Sequence, residues 1–206
     1  MYLRSKGFDG VRIWPNLTGP VQLMRSDGSL RPDGLSTLKF ILDRARDERL
    51  VVDVSFTAEH VAGLDAARLR DAIVATTGEL RGYENILFDI RTSGTSTGRS
   101  ASRSPPVTWR VFALGIKSVD ARRIVTASNS SENTAEETAA FVSQVGVDVA
   151  AYHDPRTSHF FDPSWIKLNV DALKASGRLG RICRSRYRRD TRRFRPASAR
   201  TTIASR

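Results

Sequence analysis

The chain has 206 residues, with 33 Lys and Arg against 22 Asp and Glu (formal charge +11), 40% hydrophobic residues and one cysteine. That is enough for one domain with a sizeable core, but no apolar run reaches the roughly 18 residues of a membrane helix. The start, Met1 to Lys6, lacks the apolar stretch of a leader peptide, and Cys183 alone excludes an internal disulfide framework and a cysteine-rich metal site.

In chain order, Gly10 to Trp14, "GVRIW", is a β-rich run closed by Pro15-Asn16, and so predicts a strand ending in a turn. Leu35 to Asp47 places Leu38, Ile41, Leu42 and Ala45 on one helical face. Leu50 to Phe56 is a second strand. Ala66 to Leu80 is a helix with Leu69, Ile73 and Val74 inward, and Ile86 to Ile90 is a third strand. From Arg91 the chain turns to Ser, Thr, Gly and Arg without periodicity, so residues 91–110 form an atypical segment. Val111 to Val119 is helical and Arg123 to Ser128 is a fourth strand. Thr134 to Val145 is a helix with Asn133 as cap and Ala140, Phe141 and Val145 inward. Val147 to Tyr152 is a fifth strand, and Pro163 to Ala175 is a last helix capped by Asp162.

Strands that alternate with helices and read as near-continuous apolar runs predict an α/β fold with a parallel sheet. In such folds sites are built at the carboxyl ends of the strands. Polar residues gather there: Asn16 after the first strand, Glu59 and His60 after the second, Ser128 and Asn129 after the fourth, His153 and Asp154 after the fifth. No glycine-rich phosphate loop follows any strand, so a nucleotide-binding fold lacks its main signature.

The charge is placed unevenly. Residues 177–206 hold eleven Arg and one acid, Asp190, leaving 22 basic and 21 acidic residues in the rest. A nearly neutral body with a basic tail argues against a nucleic-acid-binding domain, although the tail itself could hold phosphates nonspecifically by counterion release. Its lack of apolar periodicity predicts disorder.

The runs "GFDGVRIWPN", "RLVVDVSFT", "GYENILFDI", "IKSVDARRIVTASNSS" and "VDVAAYHDPR" resemble successive strands of cellulase-like (β/α)₈-barrel glycoside hydrolases, the clan that includes glycoside hydrolase family 5. The resemblance covers about residues 7–176 and implies strands two to six of a partial TIM barrel. Residues 1–176 would form that partial barrel and 177–206 a separate tail. It implies hydrolysis of β-linked poly- or oligosaccharides by retention, with two glutamates about 5 Å apart and no cofactor. It also implies an open sheet that a partner chain could complete. With no leader or membrane segment in sight, the cytoplasm is the default location.

The acid/base glutamate of the family ends strand four in a motif like "FDIQNE". Here the chain reads "FDIRTS", which puts Ser93 near that place. The nucleophile ends strand seven in a motif like "YLQEP". Here the chain reads "GRICRSR", which puts Arg184 near it. Neither glutamate is present. A shifted coding frame accounts for both losses. Arg91 to Gly98 can be written CGA ACG AGC GGA ACA TCA ACG GGG, and one A inserted after the first C makes it read Gln-Asn-Glu-Arg-Asn-Ile-Asn-Gly. Leu179 to Arg186 can be written CTG GGC CGC ATC TGC AGG AGC CGG, which from its third base reads Gly-Pro-His-Leu-Gln-Glu-Pro. The other reading is a genuine Ser/Thr-rich loop and a genuine basic tail.

The remaining candidate site residues are substrate contacts. The resemblance gives Arg12 a place near the nucleophile, with Asn16 beside it, and gives Tyr152-His153 the aromatic-His pair that orients the nucleophile. Trp14 could stack on a sugar ring or belong to the core. His60, with Glu59, lies in the second strand's loop, and Ser128 and Asn129 could bond a sugar hydroxyl or form a turn. Asp53 reads as a structural hydrogen-bond acceptor, and Asp89, in a buried strand, needs a partner. His153 and His159 with Asp154 could suggest metal binding, but no third fixed ligand at a recognised spacing supports it. The alternative function is a noncatalytic carbohydrate-binding or interaction protein.

Overall fold

The computed structural model describes residues 2–16, 22–56, 61, 63–90, 106–129, 135–152 and 171. Its elements are α1 (Tyr2–Ser5), β1 (Gly10–Ile13), α2 (Pro32–Asp47), β2 (Val51–Ser55), α3 (Ala66–Glu79), β3 (Ile86–Asp89), α4 (Pro106–Val119), β4 (Ile124–Asn129), α5 (Ala135–Val145) and β5 (Val149–Tyr152). The five strands form one sheet in the order β1-β2-β3-β4-β5, and every neighbouring pair is parallel. Strand order that follows chain order is the winding of a barrel. A doubly wound nucleotide-binding sheet instead reverses at a switch point. Among the described residues no helix is long and apolar enough to cross a membrane.

Period-two alternation divides each strand between two faces. Val52 and Val54 of β2, Ile86 and Phe88 of β3, and Val125 and Ala127 of β4 lie in one buried cluster. Leu38 and Leu42 of α2, Leu69 and Ile73 of α3, Phe112 and Ile116 of α4, and Phe141 and Val145 of α5 complete that cluster. The apolar layer therefore lies between the sheet and its helices. The alternate residues, among them Arg12, Asp53, Asp89 and Thr126, belong to the opposite, inner face.

Two inward residues expected from periodicity are placed differently. Val74 is only partly buried, and a Cβ added at Gly115 would touch it, so it packs toward α4. In α5 the fully buried alanine is Ala139, while Ala140 is partly buried. Helix α4 starts at Pro106, inside the 91–110 segment and ahead of the expected Val111, because proline suits the first turn of a helix. Ser128 and Asn129 lie within β4, because its pairing with β5 runs on to Asn129↔Tyr152. The tail, the last helix and the Asn133 cap fall outside the described residues, apart from a helical Asp171.

Helix α2 begins with Pro32, and Leu23 donates its N–H to Pro15 O across 2.6 Å just before it. The backbone of Gln22 and Leu23 passes so close to Gly34 that a Cβ there would collide with it. In the first turn, Arg31 grips Asp33 with two hydrogen bonds of 3.2 and 2.7 Å. That grip and the Gly34 N–H hold the Asp33 carboxyl down at about 2, from an ordinary 3.8. A depressed carboxyl adds stability that is complete above pH 3.8 and is lost as pH falls through about 2. Asp33→Asn should therefore lower the melting temperature at neutral pH and should converge with the parent below about pH 2, as read by thermal melts over that range.

Just past the C-cap of helix α2, Glu48, stands Arg49, whose φ of 57° is left-handed. The Leu50 N–H bonds Ala45 O at 2.8 Å, which is the six-to-one bond of a Schellman ending. Glycine normally occupies that left-handed place, because a Cβ costs energy there. Arg49→Gly should raise stability by about 0.5–1 kcal/mol, seen as a higher urea midpoint at unchanged slope.

Candidate functional site

The inner face carries charged and hydroxyl side chains where an open parallel sheet could hold apolar ones. Arg12 of β1 is the register partner of Asp53 on β2, and Ser55 of β2 is the partner of Asp89 on β3. Arg12 Nε donates to Asp53 Oδ2 at 2.6 Å, and Arg12 Nη2 lies 3.2 Å from Asp89 Oδ2. Ser55 Oγ donates to the other Asp53 oxygen at 3.1 Å. The Asp89 side chain has no exposed surface, whereas those of Arg12 and Asp53 keep 24% and 17%. Thus Arg12 bridges from the edge strand across β2 to β3, and the cluster opens to solvent on the Arg12 and Asp53 side.

The bridge is made of charge-assisted hydrogen bonds, which are shorter and stronger than neutral ones. Alone, one buried ion pair is a weak source of stability, because two charges must leave water. Here Asp89 needs its cation, since an unpartnered buried carboxylate is costly. Next along the face, Thr126 of β4 is the partner of Asp89, and its hydroxyl donates to Val149 O at 3.0 Å.

Around this cluster the structure places the other candidates unequally. Trp14, directly after β1, is 39% exposed and so is not core. Asn16, in the turn that follows, is fully buried. Asn129 and Tyr152 are register partners at the carboxyl ends of β4 and β5, with Ser128 one residue earlier. Strand pairing therefore brings the expected fourth- and fifth-strand positions side by side. His60, His153, Ser93 and Arg184 lie outside the described residues. Among the described residues, no group of three or more His, Cys, Asp or Glu is arranged to hold a metal.

The sequence reading gave Asp53 and Asp89 structural roles and missed Ser55. Its signal was present: polar residues at alternate positions, Asp53-Val54-Ser55, inside an apolar run mark one face of a strand.

The opposite end of the sheet is built differently. Arg123, just before β4, is 4% exposed and donates to Tyr83 O at 2.7 Å and Leu80 O at 3.0 Å. It also pairs with Asp120 at 3.1 Å. Nearby, Asp148 accepts from the Val125 N–H at 2.8 Å and pairs with Lys117 at 2.7 Å. These contacts satisfy helix ends and strand starts, as expected of the amino-terminal face of a barrel.

Solved structures share this architecture. The catalytic domain of a mannanase from Streptomyces sp. SirexAA-E superimposes with a TM-score of 0.58 at 10% identity, over 85% of this chain and 56% of that one. A GH5-4 broad-specificity endoglucanase from an uncultured bacterium gives 0.55 at 13% identity, over 84% of this chain and 60% of that one. A GH5_18 protein from Streptomyces cattleya, in complex with Manb1-4GlcNAc, gives 0.55 at 17% identity, over 72% of this chain and 43% of that one. The chain thus spans 43 to 60% of the length of these structures. No protein-family model and no curated protein matches the sequence. The fold is a partial TIM barrel. Of these barrels, the endoglucanase and the Streptomyces cattleya protein carry the name of glycoside hydrolase family 5.

Proposed function

We propose that this chain is a catalytically silent segment of a retaining glycoside-hydrolase-like barrel. One observation carries the reading. The segments in which the resemblance expects the acid/base and the nucleophile, residues 91–98 and 179–186, contain no Asp or Glu. Retention needs both carboxyl groups, one to protonate the leaving oxygen and one to bond the sugar. Loss of acid–base assistance alone costs roughly 10² to 10⁴ in rate.

A shift of coding frame would explain the loss: with codons chosen to fit, one change of frame at each segment yields "NE" and "QEP", and a second change before about Ile116 returns the chain to frame after the first. The fold supports it in one respect. Well-formed β3 precedes the first segment and well-formed α4 follows it, each packed in the common core. The nucleotide sequence across both segments tests the account, which is wrong if no alternative frame yields those motifs. For activity, mass-verified protein should leave an aryl β-glycoside unhydrolysed. Robust turnover would refute the silent assignment.

A second reading is noncatalytic recognition of a β-linked saccharide on the inner face. It is favoured by the intact Arg12–Asp53–Asp89 cluster beside a part-exposed Trp14. The apolar face of an indole ring and a fixed set of polar groups are what a sugar ring recruits. Retarded migration through gels containing β-mannan or β-glucan would support it.

A further inference from the structure

We propose that Asp53 and Asp89 are positioning residues, which hold the Arg12 guanidinium in one orientation for contact with a ligand on the inner face. The proposal rests on the saccharide-recognition reading above. Its physical core is an excess of anchoring. One carboxylate would neutralise Arg12, yet two, from different strands, take different nitrogens of the same guanidinium at 2.6 and 3.2 Å. Two contacts on a planar group fix its direction as well as its charge.

The anchors are themselves anchored. Ser55 Oγ occupies Asp53 Oδ1, so that carboxylate cannot turn without losing a hydrogen bond. Asp89 is wholly buried at the end of central strand β3, with its backbone in register with Ser55 and Thr126 on either side. Stability alone does not ask for this arrangement, because apolar residues of similar volume are often as good or better than a buried ion cluster. Leu87 and Ile124 already place apolar residues at register-paired positions on this inner face. What the cluster adds is a long, flexible arginine held still at the strand ends. Holding it beforehand removes an ordering cost that binding would otherwise meet.

The test is a double-mutant cycle on the full chain, with β-1,4-linked manno- and gluco-oligosaccharides as probes and calorimetry as readout. Asp53→Asn should weaken binding about tenfold, the scale of one good polar contact, and should have no further effect in an Arg12→Gln background. An unchanged affinity, or equal losses in both backgrounds, would overturn the proposal. NMR of the Arg12 side chain supplies an independent readout. Its Nε–H should give a distinct, slowly exchanging signal that Asp53→Asn abolishes. A signal unaffected by that change also overturns the clamp. If the parent protein binds neither oligosaccharide, the saccharide reading fails, and the NMR signal still decides whether Asp53 fixes Arg12.

Discussion

Replacing Arg123 with Met should destabilise the fold by about 3–5 kcal/mol, the usual cost of removing one partner from a buried ion pair. The guanidinium answers several needs at once. It caps the carbonyls of Leu80 and Tyr83 as α3 ends, pairs with Asp120, and stands 5.4 Å over the Phe88 ring. Burial pushes its pKa down from the ordinary arginine range, and Asp120 opposes that shift. The pocket therefore taxes the charge, and arginine persists because it feeds three acceptors. With Met in its place, Asp120, whose side chain is only 10% exposed, would keep as a cation only the exposed Arg122, 3.9 Å away, and the Leu80 and Tyr83 carbonyls would lose the guanidinium. Unfolding in urea, monitored by circular dichroism, gives the loss directly. The mechanism makes a sharper demand of the double variant Arg123→Met with Asp120→Leu, which should lose less than Arg123→Met alone, because no buried charge is stranded. A double variant at least as unstable as the single one would show that the carbonyl caps, not the ion pair, carry the effect.

Arg123 also shows where sequence reading stops. All five strands were legible, because each is a short apolar run between breakers, and all matched within two residues at either end. Helices α2, α3 and α5 were legible from their apolar stripes. The start of α4 was not, since Pro105-Pro106 follows a segment without periodicity and reads as a break. The antiparallel bridge between Met24 and Leu30 was missed too. Its two partners lie on either side of a polar turn, Arg25 to Ser29, too short to set a period.

The site was legible as a set of residue types and not as a geometry. A buried Asp89 demands a partner by energetics alone, yet only the register of β1, β2 and β3 reveals that the partner is Arg12, some eighty residues away in sequence. For Tyr152 and Asn129, strand pairing supplies adjacency that spacing could not. The basis for reading glycoside-hydrolase character was likewise divided. Strand order and the solved barrels show the fold, whereas the retaining chemistry is proposed only from the resemblance, which expects two carboxyl groups in segments that hold no Asp or Glu.

Phe88→Ala should cost about 3–5 kcal/mol, the range for emptying a buried phenylalanine site. Its side chain is fully buried on central strand β3 and meets Phe56 edge to face, with centroids 5.2 Å apart at 68°. Phe56 directly follows β2, so the aromatic pair ties neighbouring strands together at their carboxyl ends. Phe88→Leu keeps most of the volume and should cost less than about 1.5 kcal/mol. The Arg123 guanidinium over the same ring means that Phe88→Ala and Arg123→Met should be non-additive, as contacting residues usually are. The consequence reaches the inner face through the pleat. Because side chains alternate, seating Phe88 against the helices is what turns Asp89 toward Arg12, and a one-residue slip would exchange their faces. A chain that keeps its fold with Leu at 88 should therefore keep the Arg12 Nε–H signal. One that loosens β3 with Ala at 88 should lose that signal at denaturant concentrations below its global unfolding. Persistence of the signal up to global unfolding in the Ala variant would mean that Phe88 stabilises the core without setting the register of the charged cluster.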